Sequence, residues 1–183
     1  MRIVGGKYRH RLISFPNDAE HTRPTKDRVR EAIFSALGDI NGYRVLDLYA
    51  GSGAMGLEAL SRGASHATFV DVSPLAIKTI KDNVTSLKIP DSGYEIIRNK
   101  DILAIESFKQ KGIQFDLVIL DPPYEEGKYE AIVEQLLTNN LLSERAIIVM
   151  EANRAITLEK IDYQKNKEYH YGDILVYIYW RKV

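Results

Sequence analysis

The sequence predicts an α/β protein: a mainly parallel, doubly wound sheet closed by an antiparallel terminal hairpin, with a small β-hairpin and helix ahead of it. Three observations predict this. From Arg44 onward, short apolar strand patterns alternate with helical ones, as parallel sheets with crossover helices require. The segment FDLVILD (115–121) is a continuous apolar run, as expected of a strand covered on both faces. The last segment, KNKEYHYGDILVYIYWRK (165–182), reads as two strands turning at Gly172 and Asp173.

The elements follow in order. RIVGG (2–6) and YRHRLISF (8–15) read as two short strands around Gly5 and Gly6. TKDRVREAIFSALG (25–38) reads as a helix with Thr25 as its cap and Gly38 as its stop. Val29, Ala32, Ile33, Ala36 and Leu37 form its apolar stripe, which leaves Arg28 and Arg30 exposed. RVLDLYA (44–50), HATFVDV (66–72), YEIIRNK (94–100), FDLVILD and RAIIVMEA (145–152) are the next five strands. Between them lie the helices GLEALSRG (56–63), SPLAIKTIKDNVTSLKI (73–89), a short one after Asp101, and KYEAIVEQLLTN (128–139). Ser73 before Pro74 is a strong helix start, because the serine side chain accepts an amide hydrogen and proline fits the first helical position. Ile77, Ile80, Val84 and Leu87 line one face of that helix. A boundary near residues 39–43 divides an extension, 1–40, from a body, 41–183.

Bulk properties narrow the function classes. The 183 residues include no cysteine, which excludes a disulfide scaffold and thiolate metal sites. The histidines are scattered, so no metal constellation is expected. No apolar run reaches the length of a membrane span and the first residues lack a signal-peptide core, so a cytoplasmic, membrane-free protein is expected. Net charge is zero, yet residues 1–30 carry eight Lys/Arg against three acids. A basic arm on an acidic body suits a polyanion, although a basic stretch alone is more often a solvated face.

Gly51, Gly53 and Gly56 spell G-x-G-x-x-G, and Asp71 lies about 20 residues on, the dinucleotide pattern. Yet Asp47, Asp71, Asp101 and Asp121 fall at or just past the ends of the first four strands, where such sheets bind ligands. No Lys or Arg lies between Val45 and Ser61. Clustered carboxylates are a poor lining for a pyrophosphate, since like charges about 4 Å apart cost about 4 kcal/mol at an effective dielectric near 20. S-adenosylmethionine reverses the sign: it has a sulfonium, an ammonium, a ribose diol and an adenine amine, and no phosphate. On this reading Gly51 and Gly53 allow close backbone approach, Asp47 meets the positive methionyl end, Asp71 the ribose, and Asp101 with Ile102 the adenine. Ser73 and Asn99 are neighbouring candidates. The alternative is a tight strand–helix turn with solubilising acids.

Asp121-Pro122-Pro123-Tyr124 closes the fourth strand. A bare Pro-Pro is often a chain break, but the flanking residues fit methylation of an exocyclic base amine. That nitrogen's lone pair is delocalised into the ring, so acceptors must hold its N–H bonds and aim it. Asp121 can accept one, the Pro122 carbonyl the other, and Tyr124 offers a stacking face worth about 1–3 kcal/mol.

VLDLYAGSGAMGLEA (45–59) and LDPPY (120–124) together resemble class I methyltransferases that modify exocyclic amines of nucleic-acid bases. With RIVGGKYRHR (2–11) and TRPTKDRVREAIFSAL (22–37), the sequence resembles the bacterial 16S rRNA guanine-N2 methyltransferases, the RsmD family, over nearly its whole length. His10 departs from the pattern, standing where a small residue is expected. The resemblance implies a Rossmann-like class I methyltransferase fold with a seven-stranded sheet, S-adenosylmethionine as cofactor, and a guanine 2-amino group of 16S rRNA in the small subunit as target. It also implies that Arg9, Arg11, Arg23, Lys26, Arg28 and Arg30 contact RNA phosphates and that Pro123 and Tyr124 meet the substrate base. A monomer is expected. Rival readings are an amine methyltransferase acting on DNA adenine, another rRNA guanine or protein glutamine, a nicotinamide-dependent oxidoreductase, and a non-catalytic RNA-binding module.

Overall fold

In the computed structural model, residues 1–16, 27–123, 128–159 and 161–182 are described. Seven strands form one sheet: β1 (Arg44–Leu48), β2 (His66–Asp71), β3 (Tyr94–Arg98), β4 (Phe115–Leu120), β5 (Leu142–Ala152), β6 (Tyr163–Tyr171) and β7 (Ile174–Arg181). Their order is β3-β2-β1-β4-β5-β7-β6. The first five are parallel, and β7 runs antiparallel to both β5 and β6. The helices are α1 (Asp27–Leu37), α2 (Ala54–Ser61), α3 (Pro74–Leu87), α4 (Asp101–Lys111) and α5 (Tyr129–Thr138).

The apolar residues divide between the two faces of the sheet. One cluster joins Val45, Leu117, Ile119, Ile147 and Val176 to residues of α1, α2 and α3. The other joins Leu46, Val118, Leu120, Ile148 and Tyr177 to residues of α4 and α5. β4 is buried along its whole length, as its unbroken apolar run required. The α3 start matches its sequence signal: the Ser73 hydroxyl accepts from the Ala76 amide at 3.3 Å, with Pro74 in the first turn. Among the described residues, no helix is long and apolar enough to cross a membrane.

Two expectations are corrected. The N-terminal segment folds back on itself, but its pairing is shorter than two strands: one antiparallel bridge joins Arg2 and Leu12, and the Ile3 and Ile13 amides donate across it to the Arg11 and Met1 carbonyls at 2.9 and 3.1 Å. Other amides are used outside it. Val4 and Gly5 donate to the Glu58 carboxylate at 2.9 and 2.8 Å, and Lys7 donates to the Ser61 carbonyl at 2.7 Å. The loop lies so close to the end of α2 that a Cβ on Gly6 would sit 1.9 Å from the Ser61 carbonyl oxygen. Glycine at positive φ is what permits this approach. His10, the departure from the family pattern, also has a positive φ of 71°, where a residue lacking Cβ is favoured.

The second correction concerns Arg30, which is fully buried rather than exposed. Positions 29, 30, 33, 34 and 37 form the inner face of α1, which keeps Val29, Ile33 and Leu37 of the expected stripe and extends it to Arg30 and Phe34. The guanidinium donates to Glu58 at 3.3 Å, to Asp27 at 2.9 Å, and to the Arg2 carbonyl. Glu58 is itself fully buried and also accepts from Arg62 at 2.8 Å. This network fixes α1 alongside α2: Arg30 meets Glu58, and Arg62 lies over the Phe34 ring one turn later.

Removing one partner from a buried, hydrogen-bonded ion pair typically costs 3–5 kcal/mol. Arg30→Ala should therefore destabilise the fold by about 3 kcal/mol, read as a lowered urea midpoint. A change below about 1 kcal/mol would show that Arg62 and the Val4 and Gly5 amides satisfy Glu58 without Arg30.

Candidate active site

The carboxyl ends of β1, β2, β3 and β4 open onto one crevice. After β1 the chain turns sharply through Tyr49 (φ 71°), Ala50, Gly51 (φ 54°), Ser52 and Gly53 (φ 77°) into α2. Tyr49 and Ala50 amides both donate to the Val70 carbonyl at 3.0 Å, holding the loop on β2. Gly56, in the first turn of α2, packs against the sheet. A Cβ there would come within 2.4 Å of the Phe69 ring and 3.1 Å of Asp47 Oδ2.

The acids expected at the strand ends are all present. Asp47 is 3% exposed, and its Oδ2 accepts from the Gly56 amide at 2.9 Å. Burial raises its carboxyl from the ordinary 3.8 to about 7; the Gly56 amide pulls it down, and the neighbouring Asp71 charge pushes it up. Asp71 ties two elements together. Its Oδ2 accepts from the Gly51 amide at 2.8 Å and its Oδ1 from the Ser73 amide at 2.9 Å. Asp101 accepts from the Tyr49 hydroxyl at 2.5 Å and from the Ile102 amide at 2.7 Å. Asn99 donates its amide to the Asp71 carbonyl at 3.1 Å.

Beside Asp71 and Asp101 lies a depression of about 340 Å³ lined by Val72, Arg98, Asn99, Lys100 and Leu103. Val72, Leu75, Ile102 and Leu103 are exposed large apolar side chains around it. A flat, uncharged heterocycle suits such a surface. Val72, Leu103 and Tyr49 were missed by the sequence reading. An apolar residue directly after a strand-end acid is the signal that would have found Val72.

Asp121 follows β4 and is half-buried; Pro122 is buried and Pro123 exposed. Tyr124 lies outside the described residues. The register pairs Leu120 with Met150, so Asp121 lies next to Glu151, which is 6% exposed. Burial, then the Glu151 charge, then the Asp47 charge hold the Asp121 carboxyl well above the usual range. Glu151 is a fifth strand-end acid, absent from the sequence expectations. The rule that selected the other four would have selected it.

The basic arm is only partly as expected. Arg9, Arg11 and Arg28 are exposed, and Arg11 donates to the Ser86 carbonyl at 2.7 Å. Arg30 is committed to the buried network, and Arg23 and Lys26 lie outside the described residues. The loop carrying Arg9 and Arg11 contacts the far ends of α2 and α3, so the length of α2, about 12 Å, separates it from the glycine turn. Tyr8 is half-buried against the core, under Lys7. Among the described residues no group of three or more His, Cys, Asp or Glu is arranged to hold a metal ion.

The sequence and the fold are matched in known proteins. Residues 1–180 match the family model described as "Conserved hypothetical protein 95". The chain belongs to that family. YlbH of Bacillus subtilis is 35% identical over 185 residues, covering 100% of both chains. An Escherichia coli relative named "Ribosomal RNA small subunit methyltransferase D" is 37% identical over 153 residues, 83% of this chain and 74% of the relative. The solved structure of Escherichia coli YhhF superposes with a TM-score of 0.84 at 31% identity, covering 100% of this chain and 98% of that one. The protein is a methyltransferase with a Rossmann-like fold.

The raised Asp47 has a consequence with a definite sign. The folded chain holds a proton that the unfolded chain releases near 3.8, so stability falls as pH rises from there through about 7. A ligand cation favours ionised Asp47 and opposes this loss. Affinity for S-adenosylmethionine should rise by up to about tenfold from pH 6 to pH 8, as the ionised fraction grows. Calorimetry in buffers of different ionisation enthalpy should show proton release on binding. Flat affinity without proton release would remove Asp47 from contact with the cationic end.

Proposed function

We propose that this methyltransferase modifies the exocyclic 2-amino group of a guanine in 16S rRNA of the small ribosomal subunit. The observation that carries this reading is Asp121 at the end of β4, wedged between Asp47 and Glu151 and followed by two prolines. The E. coli relative named for small-subunit rRNA supports the substrate class. The residues present suit the donor: the acids fit its positive groups and hydroxyls, and the ledge of Val72, Ile102 and Leu103 fits its adenine. When bound, S-adenosylmethionine supplies an electrophilic methyl group on a sulfonium.

The chain's own residues do the rest. Asp121 accepts one N–H of the amine and the Pro122 carbonyl accepts the other, which turns the nitrogen lone pair toward the incoming methyl. The prolines fix that carbonyl by locking φ. As the amine is alkylated its acidity rises, and Asp121, whose proton affinity is raised by burial and two neighbouring charges, takes the departing proton. Tyr124 is assigned to stack on the base. A target guanine must leave its own stack to reach this crevice, which is cheapest in an exposed RNA loop. Arg9, Arg11 and Arg28, on the extension of residues 1–40, are assigned to phosphates.

Methyl transfer from labelled S-adenosylmethionine to unmodified small subunits tests the reading, with the product nucleoside identified by mass spectrometry. N2-methylguanosine in 16S rRNA is the expected product; its absence, with transfer to DNA or protein instead, overturns the substrate. Asp121→Ala should lower kcat by about 100-fold or more while the affinity for S-adenosylmethionine stays within a few-fold. Turnover near wild type would remove Asp121 from the chemistry.

A further inference from the structure

β6 is the outer strand of the sheet, and most of its residues are exposed. Alternate residues of a strand share a face. Lys165, Lys167, Tyr169 and Tyr171 therefore share one, and register places them beside Trp180, Ile178, Val176 and Ile174 of β7. The Tyr169 and Tyr171 rings are stacked, with centroids 6.3 Å apart and planes inclined by 21°. Lys165 lies over the Trp180 ring at 4.6 Å and keeps its ammonium at the surface. Both tyrosines are half-buried against the core, which holds their rings still. The opposite face of β6 differs: there Glu168 pairs with His170 at 2.7 Å.

The stripe has a direction. Register pairs Ala152, at the ligand end of β5, with Leu175, and Tyr171 with Ile174. The tyrosines thus stand at the same end of the sheet as Asp121 and Glu151, and the lysines trail away from it. Asp121 closes β4, and three strand spacings, about 14 Å, separate β4 from β6. From Lys165 to Tyr171 the stripe is about 20 Å long. Aromatic rings under bases with cations on phosphates is the arrangement that holds single-stranded nucleic acid without reading its sequence.

We propose that this face of β6, Lys165, Lys167, Tyr169 and Tyr171, is a second RNA-contact surface that holds single-stranded RNA flanking the methylated nucleotide. The proposal rests on the RNA-methylating reading above. The tyrosines stack beneath a base next to the flipped one, and the lysines follow the backbone outward. A nucleotide leaving its stack needs its neighbours restrained, and a rigid aromatic pair near the crevice restrains one of them.

The test uses the full chain with small ribosomal subunits and a fluorescent single-stranded oligoribonucleotide. Tyr171→Ala should raise KM for the subunit and weaken oligonucleotide binding by about tenfold. Its kcat and S-adenosylmethionine affinity should stay within twofold, which also certifies the fold. Tyr171→Phe, which keeps the ring, should bind like wild type. Lys165→Ala with Lys167→Ala should reduce the log–log salt slope of oligonucleotide binding by about 1.4. If wild type methylates the RNA and all three variants match it in KM, binding and slope, the surface is refuted and the RNA reading stands. If wild type neither methylates nor binds RNA, both fall.

Discussion

The carboxylate of Glu58 is the interaction on which the arrangement of the outer layer depends. It is fully buried, and four donors converge on it: the Val4 and Gly5 amides and the Arg30 and Arg62 guanidinium groups. An isolated carboxylate buried this deeply would neutralise itself. Here the donors come from three stretches of chain, so satisfying the charge obliges the arm, α1 and the end of α2 to meet at one point. Apolar contacts among Ile3, Ile33 and Leu57 supply area, but they do not dictate register as a forked guanidinium does. Asn83 plays a smaller part of the same kind, donating to the carbonyls of Ser14 and Ser52 and so joining the arm to the glycine turn.

At the opposite extreme of polarity lies the ligand crevice. Asp47, Asp121 and Glu151 gather there, and burial together with the neighbouring charges raises the carboxyls of the first two above the ordinary range. The fold tolerates this because amides of the turn and of α2 and α3 point at the acids, and because β1 and β4, at the centre of the sheet, hold the strand ends in place. Strain of this sort is commonly found where a ligand completes the electrostatics.

Much of the fold was legible because its signals are local. The period of the apolar residues named the strands and helices, Ser73-Pro74 named a helix start, and Gly172-Asp173 named the last turn. The strand-end rule located Asp47, Asp71, Asp101 and Asp121 without any tertiary knowledge. Arg30 was misread because an arginine counts as polar when a helix face is judged by itself; only the presence of Glu58, 28 residues on, makes its burial favourable. The arm's pairing is shorter than expected for the same reason, since nothing within residues 1–15 reveals that the amides of Val4, Gly5 and Lys7 are claimed by α2. Glu151 was overlooked although the rule applied to it. Tyr49 could not be foreseen, because its hydroxyl reaches an acid 52 residues away only after the turn adopts a positive φ.

The position of β7 bears on how such a chain comes into being. It is the last strand in sequence, yet it lies inside the sheet, between β5 and β6, and its Val176 and Ile178 are fully covered. Until the ribosome has released this stretch from its exit tunnel, β5 is an open edge with a row of unused amides and carbonyls beside Ile147, Ile148 and Val149. Such an edge recruits other strands as readily as its own. The chain therefore passes through an aggregation-prone interval after β5 emerges and before β7 does, and the crevice beside Glu151 gains its outer wall only once β7 has paired with β5.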